Sequence, residues 1–286
     1  MLDMSKTFKI PIDVDVEHLV AVSESQHGSQ AGQDLFVVAM LGGSKNKTFL
    51  EIGSGLPDHD SNTYLLEKEF GFSGVAIDIN DWNRERWPRK EKFKNFYNDI
   101  KDPSWPDVES IEQLPEHIQE ECRTQFNYEF EVGHLPEHIE WKNIRPLTQF
   151  YSADALEFDY STLNSYYDYL QIDIAPCWNN WLVLEKIVTA KEFAVITFEH
   201  DLWNNTLESK QAKQLGQTLL ENLGYQLVAD NVTIEPGKGG GIGDEPIYFE
   251  DWYANPKYID QSVIDAYRFI GTGFPKYYHQ ILFRKD

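Results

Sequence analysis

The run Thr48-Phe49-Leu50-Glu51-Ile52-Gly53-Ser54-Gly55-Leu56-Pro57 constrains this chain most, together with Asp78 at the end of the next apolar run. A short apolar stretch closed by an acid-x-Gly-x-Gly turn reads as a buried strand that turns sharply into a helix. A second strand, Gly74 to Ile79, then finishes in Ala76-Ile77-Asp78-Ile79-Asn80. Strand, glycine turn, helix, strand and terminal acid are the layout of a nucleotide pocket at the carboxyl edge of a parallel sheet. Gly53 and Gly55 let the backbone pass close to a ligand, and Asp78 stands where it can accept from ribose hydroxyls.

The rest of the chain continues the alternation. Gln30 to Leu41 predicts a helix stopped by Gly42-Gly43, and a further helix opens at Asp60 or Ser61 and runs through Phe70 to Gly71. Strands follow at Thr148 to Ser152, Tyr169 to Ile174, Phe193 to Phe198 and Tyr225 to Ile234, with helices at Trp181 to Val188 and through Ala212, Leu215, Leu219, Leu220 and Leu223. A helix-like stretch, Pro256 to Ile270, leads to a last strand, Tyr278 to Phe283. The expectation is a single α/β domain over 1–286 with helices on both faces of the sheet. Residues 1–28 form an N-terminal arm. Residues 81–145 form an insertion between strands two and three, a candidate lid or homodimer contact, in which Leu114-Pro115-Glu116-His117-Ile118 recurs as Leu135-Pro136-Glu137-His138-Ile139.

Charge and composition remove several classes of function. A net charge of −22 over 286 residues argues against binding to phosphate backbones, which requires clustered Lys and Arg. Two cysteines, Cys122 and Cys177, lack metal-type spacing and suit a reducing compartment. The first residues lack the apolar core of a signal peptide, and no run approaches a membrane span. These features point to a cytoplasmic protein whose partner is a small molecule, neither nucleic acid nor membrane.

Glu51 decides between two cofactors. A dinucleotide fold directs pyrophosphate to the N-terminus of its first helix, where a nearby carboxylate repels it. S-adenosylmethionine has no phosphate and carries an ammonium and a sulfonium, which a carboxylate attracts. The residues therefore favour S-adenosylmethionine over NAD.

Several segments together resemble the FkbM family of S-adenosylmethionine-dependent methyltransferases. They are Ser29-Gln30-Ala31-Gly32-Gln33-Asp34, Phe49 to Gly53, Ser61-Asn62-Thr63 with Leu66-Glu67-Lys68, Tyr169 to Ile174, Val195 to Asp201 and Phe249-Glu250-Asp251-Trp252-Tyr253. The resemblance covers about 29–80 and 150–286. It implies a class I methyltransferase fold, Rossmann-like, with seven strands, mostly parallel, and the last antiparallel. It also implies O-methylation of a hydroxyl on a carbohydrate or related small molecule. Cofactor contacts are then expected at Glu51, Gly53, Gly55 and Asp78, with Asp154 and the adjoining Ala155 toward the adenine. Pro57 and Asp58 depart from the usual third glycine, and Ala175 stands where another acid or a Glu-Gly pair is expected.

Groups beyond the carboxyl ends of strands are candidates for chemistry: His59, Asp173, Glu199, His200 and Asp201. His200 is the first choice as base, because imidazole can be neutral near pH 7, and Asp173 is the second. Asp173, Glu199 and Asp201 also offer oxygens to Mg²⁺, and Gln33 and Asp34 can line the pocket. His134-Leu135-Pro136-Glu137-His138 matches a zinc-protease string that Pro136 spoils, and Gly237 to Gly243 is a candidate lid. Two other classes stay open: a non-catalytic binding or assembly protein on the same fold, and an NAD-linked oxidoreductase.

Overall fold

The computed structural model describes residues 15–25, 27–79, 141–234 and 247–268, all in one compact unit. Its seven strands are β1 (Thr48–Ile52), β2 (Ser73–Asp78), β3 (Thr148–Ser152), β4 (Tyr166–Ile172), β5 (Glu192–Glu199), β6 (Gln226–Ile234) and β7 (Ile247–Ala254). They form one sheet in the order β3-β2-β1-β4-β5-β7-β6. Pairing is parallel from β3 through β5, while β7 runs antiparallel to both β5 and β6. Six parallel strands and one antiparallel strand in this order make the Rossmann-like sheet of class I methyltransferases.

Helices cover both faces. On one side, α1 (Val16–Ser23), α2 (Gln33–Met40), α3 (Tyr64–Phe70) and α7 (Gln261–Tyr267) belong to a core containing Phe36, Phe49, Tyr169, Val195 and Trp252. On the other, α5 (Cys177–Val188) and α6 (Leu207–Asn222) close over Leu50, Ile52, Leu170, Ile172, Ile196 and Phe198. Alternation along each strand sends neighbours to opposite faces, so a five-residue run such as β1 feeds both cores. A short α4 (Trp141–Ile144) precedes β3, stacking Trp141 on Phe150 at 4.5 Å between ring centroids.

Several expectations need correction. The N-terminal arm contains a helix, α1, capped by the Asp15 side chain accepting from the His18 N–H at 3.1 Å. The last strand of the described sheet is Ile247–Ala254, whose acids Glu250 and Asp251 hid its strand character. The helix placed at Pro256 to Ile270 shrinks to Gln261–Tyr267. Residues 81–140, with both copies of the repeat and the His134–His138 string, lie outside the described residues, as do Gly237–Gly243 and Tyr278–Phe283. Among the described residues no helix is long and apolar enough to cross a membrane.

Candidate functional site

The carboxyl edge of the sheet is stitched together where the strand order reverses. Gly53 N–H donates to Ile77 O at 2.8 Å, Asp173 N–H to Ile52 O at 2.9 Å, and Ala153 N–H to Asp78 O at 2.8 Å. These bonds join the ends of β1, β2, β3 and β4, and they bring Gly53, Asp78, Asp154 and Asp173 to one edge. Gly53 holds φ +78°. A Cβ there would lie 1.6 Å from Asp173 O, so the position admits no side chain. Gly55 has φ +56°, and a Cβ built there meets nothing within 4 Å. The loop is thus tight beneath Gly53 and open above Gly55. Between them Ser54 is 5% exposed, and its hydroxyl has no partner among the described residues.

The two acids read from the sequence share a face but sit at different depths. Glu51 pairs in register with Ala76, two residues before Asp78, so all three point to the same side. Asp78, at the rim, accepts from Gly55 N–H at 2.8 Å. Glu51 is buried under the loop and accepts from the Thr63 hydroxyl at 2.6 Å. Burial raises its pKa from 4.5 to about 7 against the pull of Arg145.

That shift has a measurable consequence. Between about pH 4.5 and 7 the fold keeps a proton that the unfolded chain has lost, so stability falls as pH rises through that window and levels off above it. The shift corresponds to about 3 kcal/mol. Glu51→Gln is expected to remove this part of the decline and to be more stable than the native chain at pH 8 by about that amount. Denaturant unfolding at pH 5 and pH 8 measures it, and identical pH slopes in the two proteins would count against a titrating Glu51.

A row of carboxyl groups continues along the edge. Asp173, Glu199 and Glu250 follow Gln171, Thr197 and the β7 pairing on one face, with Glu250 directly opposite Glu199 in register. Burial raises both Asp173 and Glu199, and a hydrogen bond between them lowers the first and raises the second. The hydrogen bond thus favours the proton on Glu199 and the charge on Asp173. Glu250 accepts from the Trp252 indole at 2.6 Å and from Gln33, and burial pushes it well above the usual carboxylate range. Gln33 thus reaches the edge from the first turn of α2. Its neighbour Asp34 does not: fully buried, it accepts from Ser23 Oγ at 2.8 Å and Ser29 Oγ at 2.7 Å, tying α1 to α2.

His200 lies elsewhere. One residue beyond Glu199, it takes the opposite face, is fully buried, and accepts from Leu202 N–H through Nδ1 at 3.2 Å. Its Nε2 stands 3.2 Å from Asp251 Oδ1, and Lys213 Nζ holds Asp251 at 2.6 Å. Burial alone would raise Asp251, but His200 and Lys213 together keep it well below the usual carboxylate range. Full burial and these approaches place His200 between the β5–α6 loop and β7, on the face away from Asp173 and Glu199. His59 lies on the β1–α3 loop, 3.4 Å from Asp60. Asp154 accepts from Leu156 N–H at 2.8 Å, and Ala155 O accepts from Tyr160 OH at 2.9 Å; both fix the turn after β3 beside Asp78. Among the described residues no three His, Cys, Asp or Glu side chains converge as a metal site, so Mg²⁺ at Asp173, Glu199 and Asp201 has no geometric support. A cavity of about 380 Å³ at the opposite edge of the sheet, beside Thr48, Gly74, Leu147 and Tyr167, is lined by no charged side chain.

Sequence reading missed Arg145, Thr63 and Glu250 as parts of the site. None of the three carried a signal along the chain: Arg145 meets Thr63 only in the fold, and Glu250 joins the row only through its register with Glu199.

No family model matches the chain, and no curated protein matches it. Among solved structures it is similar to an O-methyltransferase from Bacillus cereus in complex with SAH (15% identity, covering 86% of this chain and 93% of that one, TM-score 0.40). It is also similar to a precorrin-6y C5,15-methyltransferase from Geobacter metallireducens (12% identity, 77% and 86% covered, TM-score 0.39). A third is an rRNA methylase from Streptococcus thermophilus (11% identity, 77% and 93% covered, TM-score 0.36). Likeness at this level speaks to neither the reaction nor the substrate of this chain.

Proposed function

We propose that this chain is an S-adenosylmethionine-dependent O-methyltransferase of FkbM-like type, acting on a hydroxyl of a carbohydrate or related uncharged small molecule. The observation that carries this reading is the open space above Gly55, at the point where the strand order reverses, with Asp78 and the Asp173–Glu199 pair at the same edge and no Lys or Arg in the loop itself. The fit to a cationic nucleoside is chemical. The lining is acidic, the glycine cradle leaves room for backbone approach, and the Ser54 hydroxyl is unpartnered.

When bound, the cofactor supplies an electrophilic methyl group on a sulfonium. In this proposal the Gly53–Gly55 backbone and Asp78 hold the nucleoside, with Asp154 and Ala155 bordering its base. Asp173, whose charge the hydrogen bond with Glu199 favours, would orient the acceptor hydroxyl and take its proton. The proton would then stay on the carboxyl pair. An NAD-linked reading fits less well, because the acidic rim at Asp78 opposes a pyrophosphate.

Incubation with methyl-labelled S-adenosylmethionine and a panel of neutral mono- and oligosaccharides tests the proposal. Label is expected in a neutral acceptor, with formation of S-adenosylhomocysteine. Cofactor binding without transfer to any member of the panel favours the non-catalytic alternative, and the absence of both overturns the reading.

A further inference from the structure

Arg145 is fully buried just before β3. Its Nε donates to Glu67 Oε2 at 2.7 Å, which by itself neutralises the charge. Its guanidinium also lies 5.6 Å from the Phe49 ring and 5.8 Å from the Trp141 ring. Three further hydrogen bonds from the two Nη atoms go to one element, the β1–α3 loop. Nη1 donates to Pro57 O at 3.2 Å and Ser61 Oγ at 3.1 Å, and Nη2 donates to Thr63 Oγ1 at 2.7 Å.

Arginine cannot accept, so the Thr63 hydroxyl receives from Arg145 and turns its own hydrogen to Glu51. The chain of donors runs one way, from Arg145 through Thr63 to Glu51. Glu51 is thereby occupied from beneath, and acts on the loop rather than on a ligand directly. A cation needed only for packing would require Glu67 and no more; three further bonds to a single loop mark a geometric role.

We propose that Arg145 is a positioning residue for the methyl-donor loop, acting through Thr63 on Glu51 and through Pro57 and Ser61 on the loop backbone. This rests on the reading of that loop as the cofactor site, so the test separates the two claims. S-adenosylhomocysteine is titrated calorimetrically into the native chain, Thr63→Val and Thr63→Ser, with thermal unfolding recorded for each.

The valine variant, which cannot relay a hydrogen bond, is expected to bind about tenfold more weakly while unfolding within a few degrees of native. Serine keeps the hydroxyl and is expected to restore affinity to within about twofold of native. Valine binding as tightly as native overturns the proposal, as does a serine variant no better than valine. Should the valine variant not fold, Arg145→Lys decides: it keeps the charge toward Glu67 but loses the planar fork, and native affinity in it overturns the proposal. If the native chain binds no S-adenosylhomocysteine, the cofactor reading fails. Amide exchange over residues 54–61 then tests the loop claim: faster exchange in Thr63→Val with recovery in Thr63→Ser supports it, and unchanged protection overturns it.

Discussion

Alanine at position 53 is expected to destabilise the chain by about 3 kcal/mol or more and to abolish cofactor binding. Two effects combine. The backbone there holds φ +78°, a left-handed conformation that costs an L side chain about 1–2 kcal/mol. The added methyl would also lie 1.6 Å from Asp173 O and 2.7 Å from Ile174 Cγ2. Neither strand end can yield without loss, because Gly53 N–H is bonded to Ile77 O and Asp173 N–H to Ile52 O. Relief therefore means pulling β1 away from β4 at the edge where the loop must present its amides and Asp173 its carboxylate. Denaturant unfolding together with a binding titration checks both halves, and a native midpoint with native affinity would refute the account of this turn. Alanine at Gly55, where φ is +56° but a Cβ has free space, isolates the backbone strain from the clash in the unfolding measurement alone.

Arg145→Met is expected to cost about 3–5 kcal/mol, the penalty for breaking a buried ion pair and leaving its partner uncompensated. Glu67 is 4% exposed and also accepts from Leu147 N–H and the Thr148 hydroxyl, so it cannot turn to solvent. Glu51 loses the charge that opposes the effect of burial on its carboxyl, so it holds its proton to higher pH than in the native chain. The deficit is accordingly expected to be smaller at pH 5 than at pH 8. Adding Glu67→Gln to Arg145→Met removes the stranded carboxylate and should recover a large part of the loss. Equal stability of Arg145→Met and native at both pH values would show that the guanidinium contributes no net stability.

These two positions mark the limit of what the sequence discloses. Gly53 was legible because a glycine after an apolar run and an acid has a local meaning: the turn and its steric demand lie within a few residues. Strands β1 and β3 and the cores of β4 and β5 were legible for the same reason, as continuous or alternating apolar runs. Arg145 was not, because its partners lie at Glu67, Pro57, Ser61 and Thr63, and no spacing along the chain connects them. β7 was obscured by Glu250 and Asp251, which look like loop acids until Trp252, Gln33, His200 and Lys213 are seen to satisfy them on opposite faces. His200 was misplaced for a reason the sequence did contain. Strand alternation puts Thr197 and Glu199 on the face of Glu51, and His200 on the other. Asp173 and Glu199 were legible as strand-end acids, but the hydrogen bond between them emerges only when β4 and β5 are laid side by side.

An acidic cradle at the end of β1 and β2 is expected to hold an adenosyl amino acid and to reject a pyrophosphate. Calorimetric titration of the native chain with S-adenosylhomocysteine and, separately, with NAD tests this most directly. One site per chain for S-adenosylhomocysteine, weakened at least about tenfold by Asp78→Asn, and no heat with NAD is the predicted result. Saturable binding of NAD, or an Asp78→Asn variant with native affinity for S-adenosylhomocysteine, would contradict it.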